Sequence, residues 1–216
     1  VFFCPEDLFL IREGAAARRK FMDQSLCQLR PRYAQALAEY HRLYEHKTRI
    51  LRDREDNPGL LAMLPDFNER MCRVGAILIY YRARYCRALE GYAAPAHEDC
   101  SGGREKLTLG YETVKTVLDP FAKTEDIAQN LREHQESHYH AELASGLCLS
   151  GPHKDDFIVE VNGRSARQFC SQGQVRTAAL SLKLADREIH RSAVGEYPVM
   201  PVSYTHLRAH ETAANL

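Results

Sequence analysis

The sequence predicts an α/β fold in which a long helical hairpin carries most of the chain and a small β-hairpin leads into one further amphipathic helix. Three observations predict it. Apolar positions between Leu26 and Ile50 alternate in steps of three and four, as one helix face requires. Asn162-Gly163 separates two short runs, residues 157–161 and 164–169, in the pattern of a type I′ turn between strands. Val175, Ala178, Ala179, Leu182, Ala185 and Ile189 recur at helical spacing directly after Ser171.

In chain order, the first stripe is Leu26, Leu29, Tyr33, Ala36, Tyr40, Leu43, Lys47 and Ile50, apolar except for one lysine, with Leu37, Tyr44 and Leu51 beside it. Pro31 fits the first helical turn, where its missing N–H is no loss. Asn57-Pro58-Gly59 ends this helix and turns the chain. A second helix is predicted from about residue 60 to 89 on Met71, Val74, Ile77, Leu78, Tyr81, Tyr85 and Ala88. A short loop between two long helices gives an antiparallel hairpin, either a projecting arm or a pair of core helices. Residues 91–103, rich in Gly, Ala, Pro and acids, predict a loop, and residues 107–111 alternate as a strand does. A helix is predicted over 124–144 on Ile127, Leu131 and Leu143, and the last one over about 174–192.

With 216 residues the chain has room for one ordinary domain or two small ones. Basic and acidic side chains number 29 each, so net charge makes no global case for nucleic acid. Residues 1–90 hold 16 basic and 12 acidic groups, a modest positive excess balanced in the remainder. Seven cysteines without a C-x-x-C pair predict reduced thiols in a cytosolic protein. No leader and no apolar run near membrane-spanning length is present, which predicts neither export nor membrane insertion. The sequence also lacks a G-x-x-x-x-G-K-[ST] phosphate loop and an apolar strand ending in paired acids for magnesium.

Ser171-Gln172-Gly173-Gln174 carries the most chemistry. Ser171 suits an N-cap, and Gln174 can complete a capping box. The helix start then offers free N–H donors, a hydroxyl, and a glycine that lets an anion approach, a construction suited to phosphate. The same spacing also serves as a plain helix cap. Two other strings stand out: Pro5-Glu6-Asp7-Leu8 followed by Arg18-Arg19-Lys20-Phe21-Met22-Asp23, and Gly151-Pro152-His153-Lys154-Asp155-Asp156. In the second, Asp155 and Asp156 can be bases or turn residues. His134, His138 and His140 lie close together without a completing carboxylate or cysteine, which leaves metal binding or a polar helix face.

All three strings resemble, in order, motifs of the RecF family of ABC-type ATPases. That family reads "S-Q-G-Q-x-R-T-A-x-L-x-L-K-L-A-E" at its signature, and Asp186 stands where it has Glu. Its "P-E-D-L-x-L-[IV]-x-G-x-P-x-x-R-R-x-F-L-D" is matched except that Glu13 and Ala15 replace the glycine and proline. Its "G-P-H-[RK]-D-D" is matched throughout. The resemblance implies an ABC-ATPase-like fold of the P-loop NTPase superfamily. Residues 1–23 would end the ATPase core, 24–145 form a helical lobe, and 146–200 return through the β-hairpin and signature helix.

It further implies a cytoplasmic DNA replication and repair protein that binds DNA at single-strand/double-strand junctions and loads recombinase at gaps. Support of the SOS response and recombination mediator partners follow from the same likeness. ATP with Mg2+ would be the cofactor of an ATP-dependent homodimer, each nucleotide lying between one copy's phosphate loop and the other's signature. On this reading Ser171, Gln172, Gly173 and Gln174 contact nucleotide in trans, and His153 is a candidate phosphate sensor. Arg18, Arg19, Lys20, Lys154, Arg176, Lys183 and Arg187 are candidate DNA contacts, with Arg191 on the same helix stripe. A solvated basic face is the competing reading for each. No catalytic residue or metal ligand is assigned, and this segment alone is not expected to hydrolyse ATP.

Residues 201–216 resemble the frame translation of a transposase sequencing adapter and are expected to be a non-native tail, so His206 and His210 receive no role. The chain thus reads as the middle of a longer protein. Other classes stay open: an SMC-like protein, which needs far longer heptad runs; a transporter ATPase subunit, which needs a membrane partner; or a non-enzymatic helical interaction module.

Overall fold

The computed structural model describes residues 9–196. The expected tail lies outside the described residues, as do Pro5 to Leu8 of the first motif. In order, the elements are α1 (Phe9–Arg12), α2 (Ala15–Leu29), α3 (Pro31–Arg52), α4 (Leu64–Ser101), β1 (Leu107–Glu112), α5 (Thr124–Ser145), β2 (Asp156–Val161), β3 (Arg164–Ser165), α6 (Ala166–Phe169) and α7 (Gln172–Val194). Short 3-10 turns occupy Pro58–Met63 and Pro152–Lys154. The strands form a sheet in the order β1-β2-β3.

Two compact units emerge. Among the described residues, one gathers 9–14, Ala88–Thr108 and 159–196; the other holds Ala15–Arg87 and Leu109–Ile158. In the larger unit, α3 and α4 run antiparallel. Glu39 pairs with Arg70 at 2.9 Å, and the Tyr33 and Tyr81 rings meet edge-on at 5.9 Å. Tyr33, Ala36, Tyr40, Leu43, Lys47 and Ile50 are all buried, so the stripe is core rather than the seam of a free arm. Each apolar side chain of this kind contributes about 1.5–3 kcal/mol on burial. The stripe spans two helices, not one: Arg30, held extended at φ −139° and ψ 96° before Pro31, separates α2 from α3.

Lys47 is the polar exception within that core. Its ammonium meets Glu142 of α5 at 2.6 Å, with side-chain exposures of 0% and 2%. Glu142 also accepts from the Leu149 N–H at 2.7 Å, so the carboxylate is shared between the pair and the loop after α5. A second cluster joins Cys72, Ala76 and Ile79 of α4 to Val114, Val117, Ile127, Ala128 and Leu131.

In the smaller unit, α1 packs against α6 and α7, and the apolar face of α7 buries Val175, Ala178, Ala179, Leu182 and Ala185. Two expectations are corrected here. Residues 91–103 do not form a loop; α4 continues to Ser101 with Pro95 inside it. Leu89, Ala93, His97 and Ser101 are buried at four-residue spacing, while Pro95 is exposed, so one buried face outweighs the unfavourable composition. The second hairpin strand is also shorter than 164–169. β3 pairs only as Glu160 with Ser165 and Val161 with Arg164, and the chain then becomes helical. Arg167, Gln168 and Phe169 are all exposed, so this run has no alternating buried face. The turn itself has the predicted geometry, with φ 53° at Asn162 and 70° at Gly163.

Candidate functional site

The signature string lies at the start of α7. Ser171 is the N-cap: its hydroxyl accepts from the Gln174 N–H at 3.3 Å, and its own N–H donates to the Gln174 side-chain oxygen at 2.9 Å. The reciprocal capping box read from the sequence is formed. Ser171, Gln172 and Gly173 are exposed and Gln174 is half-buried. In an α-helix the first N–H groups have no intrahelical acceptor, which leaves those of Gln172 and Gly173 facing outward with the positive end of the helix dipole.

Gly173 is informative for what surrounds it. A Cβ there would find nothing nearer than the Ser171 hydroxyl at 3.9 Å, and its φ is not in the left-handed region. Nothing in this chain's own packing requires glycine at that position. Behind the cap, the Gln174 side-chain N–H donates to Glu105 at 2.9 Å, and the other Glu105 oxygen meets His97 Nε2 at 3.1 Å. His97 is fully buried, with Ser181 Oγ 3.5 Å from its Nδ1.

Arg18–Asp23 of the first string and the whole of the second lie in the larger unit, and the group that joins them is Arg82 of α4, which no sequence motif contains. Arg82 Nη1 donates to the Pro152 carbonyl at 2.7 Å and to Asp155 at 3.0 Å. Its Nη2 reaches both Asp23 oxygens at 2.9 and 3.1 Å, and its Nε reaches the Tyr33 hydroxyl at 2.9 Å. Tyr33 in turn donates to Asp23, and Tyr111 donates to Asp155 at 2.5 Å. Burial alone would lower the Arg82 pKa, but Tyr33, Asp155 and Asp23 hold it well above its ordinary value. For Asp155, burial raises the carboxyl pKa, and Arg82 and Tyr111 oppose that rise.

Apart from exposed Lys154, Gly151-Pro152-His153-Lys154-Asp155-Asp156 is built into this hub. Gly151 has φ 131°, and a Cβ there would overlap the Tyr40 hydroxyl. Pro152 packs on Gly75, 3.1 Å from where a Cβ would stand. His153 Nδ1 accepts from Tyr40 at 2.8 Å and its Nε2 donates to the Cys148 carbonyl at 3.1 Å, assigning the Nε2-protonated tautomer. Burial lowers its pKa to about 4. Both ring nitrogens are thereby engaged inside the unit. Asp156 receives the Arg18 guanidinium at 2.6 and 2.8 Å and accepts from the Phe157 N–H.

The candidate DNA-contact residues divide by environment. Arg18 is buried at 5% exposure in its ion pair with Asp156, a structural placement rather than a surface one. Arg19 is half-buried and donates to the Asp155 carbonyl at 2.7 Å. Lys20, Lys154 and Arg176 are exposed, and Lys183 is half-buried. Arg187 and Arg191 both bind Glu188, at 2.7 and 2.8 Å, which offsets much of the positive stripe on α7. In the histidine cluster, His134 Nδ1 lies 2.8 Å from Ser150 Oγ and the His134 ring stacks on His138 at 4.0 Å. Among the described residues, no group of three or more His, Cys, Asp or Glu side chains could hold a metal ion. Among the same residues no helix is long and apolar enough to cross a membrane.

No protein-family model matches the chain. It is 35% identical over 203 residues to the DNA replication and repair protein RecF of Alkaliphilus oremlandii, and 34% identical over 201 residues to that of Bacillus subtilis. Each alignment covers 93% of this chain and 54% of the relative, so the chain spans about half the length of the curated relatives it matches. Two solved structures are similar, one of "the recombination mediator protein RecF-ATPrS in RecFOR pathway" and one of the corresponding RecF-ATP. The first has a TM-score of 0.89 at 29% identity and covers 95% of this chain and 54% of that one. The second has a TM-score of 0.86 at 30% identity and covers 93% and 53%. The fold is thus α/β and ABC-ATPase-like, with the described residues mostly helical around a small sheet.

Proposed function

The chain belongs to the RecF family, spanning about half of a member's length, and on that premise we propose that its protein binds DNA and ATP and dimerises around the nucleotide in replication and repair. Ser171, Gln172, Gly173 and Gln174 contact the γ-phosphate of ATP held by a second copy. The phosphate loop and the acids that hold Mg2+ come from parts of the protein outside this segment. ATP then acts chiefly as dimer glue and timing switch. Recombinase loading at single-strand gaps, mediator partners, the SOS response and a cytoplasmic location complete the reading carried from the family.

The observation that supports it most directly is the start of α7. An exposed hydroxyl, two outward N–H groups and a glycine without a local packing reason form an open anion cradle. A helix cap needs the serine and the glutamine; it does not need the glycine. Exposed Lys20, Lys154 and Arg176 supply phosphate-backbone contacts for DNA, and half-buried Arg19 is less accessible.

Ser171→Arg in the full-length protein tests the reading. The larger, charged side chain fills the cradle without touching the phosphate loop. Each monomer should keep its nucleotide affinity while ATP-dependent dimerisation and hydrolysis are lost together, as read by sedimentation with and without ATP beside a nucleotide titration. Dimers that persist with ATP would reduce Ser171 to a helix cap.

A further inference from the structure

We propose that Glu105 is a positioning residue for the signature cradle, a role that rests on the trans-nucleotide reading above. The Gln174 amide can point in two ways. Only one leaves its oxygen toward the Ser171 N–H, and in the structure that orientation is set from the far end, where its NH2 group donates to Glu105. Glu105 is itself anchored by fully buried His97 at 3.1 Å, next to Ser181 on the buried face of α7. The chain of contacts therefore runs from the core of the smaller unit to the N-cap.

The consequence for Ser171 is specific. Its N–H is satisfied by Gln174, and its oxygen accepts the Gln174 N–H. The hydroxyl proton is left to donate outward, toward an incoming phosphate oxygen. An oxygen behind the amide accepts only from its NH2 end, so it fixes which end of Gln174 faces it. Without it, the amide can rotate, Ser171 N–H loses its acceptor, and the first turn frays where the phosphate must dock. Glu105 touches no ligand; it acts through Gln174.

The test uses the full-length protein with ATP, comparing Glu105→Ala, Glu105→Asp and Glu105→Gln. Glu105→Ala removes the acceptor, and Glu105→Asp retains the charge but falls short of Gln174. Both should weaken ATP-dependent dimerisation by about tenfold, the scale of one hydrogen bond to a charged group. ATP binding to the monomer should stay near wild type, while the melting temperature without ATP should fall in Glu105→Ala, where fully buried His97 loses its partner. Glu105→Gln still presents an oxygen to Gln174 and should restore most of the dimerisation. That split between nucleotide binding and dimerisation, with rescue by Gln, is not expected of a residue that only stabilises the fold. Undiminished dimerisation in Glu105→Ala and Glu105→Asp overturns the proposal, and so does a loss that Glu105→Gln fails to restore. Ser171→Arg separates the two ideas: if it abolishes the ATP dimer while the Glu105 variants do not weaken it, the cradle stands and only the positioning role falls.

Discussion

Arg82 places one guanidinium, at 2% exposure, among Asp23, Asp155, Tyr33 and the Pro152 carbonyl. Removing one partner from such a buried set leaves a charge without compensation, which typically destabilises by about 3–5 kcal/mol. The sequence held one faint sign of it, since Arg82 falls on the same helical stripe as Leu78, Tyr85 and Leu89, where a cation is out of place. Which acids it would meet, 59 and 73 residues away, no local pattern could say. His153 yields a prediction at the same scale. Burial lowers its pKa from 6.5 to about 4, so the folded state holds the neutral ring while the unfolded chain protonates near 6.5. Its stabilisation is therefore present in full above pH 6.5 and lost as pH falls toward 4. Stability should drop by about 2 kcal/mol from this residue between pH 7 and pH 5. Urea unfolding at the two pH values, for this chain and for His153→Gln, measures it. His134, whose pKa is also lowered by burial, contributes with the same sign in both proteins. An equal pH dependence in the two would show that His153 is not the titrating group.

Among the elements, α7 was legible almost to the residue, because a capping box and an apolar stripe are both local signals. The hairpin turn was legible for the same reason: Asn162 and Gly163 accept positive φ. The end of α4 was not legible. Gly, Ala, Pro and acids between 91 and 103 weigh against a helix locally, and only the burial of Ala93, His97 and Ser101 outweighs them. Pro95 remains a residue that α4 tolerates without benefit, lacking an N–H and lying on the exposed side. Pro95→Ala should therefore stabilise the chain by about 2 kcal/mol, less than the roughly 3 kcal/mol helix preference because proline also stiffens the unfolded state. Thermal melting decides it. An unchanged or lower midpoint would mean that α4 depends on the proline to set its course.

At the scale of the whole molecule, the cations expected to meet DNA are fewer than the sequence suggested. Arg18 is committed to Asp156, and Arg187 and Arg191 share Glu188. Lys20 and Lys154, both exposed, are the better candidates. In the full-length protein, Lys20→Ala combined with Lys154→Ala should weaken DNA binding evenly across sequences and flatten the log–log salt slope by about 2, near one for each phosphate that is no longer neutralised. Arg18→Ala should instead lower folding stability. An unchanged slope in the double variant removes both lysines from the footprint. By itself, the sequence determined the period of each major helix, the turn at Asn162-Gly163, the cap at Ser171 and the family likeness, since all of these reside in residues a few positions apart. Tertiary structure alone decided what many charged residues do: Arg18 and Asp156 of the motif strings, 138 residues apart, satisfy one another, as do Lys47 and Glu142 in the core. A charge's role depends on whether it faces water or an opposite charge, and that is fixed only when distant segments pack together.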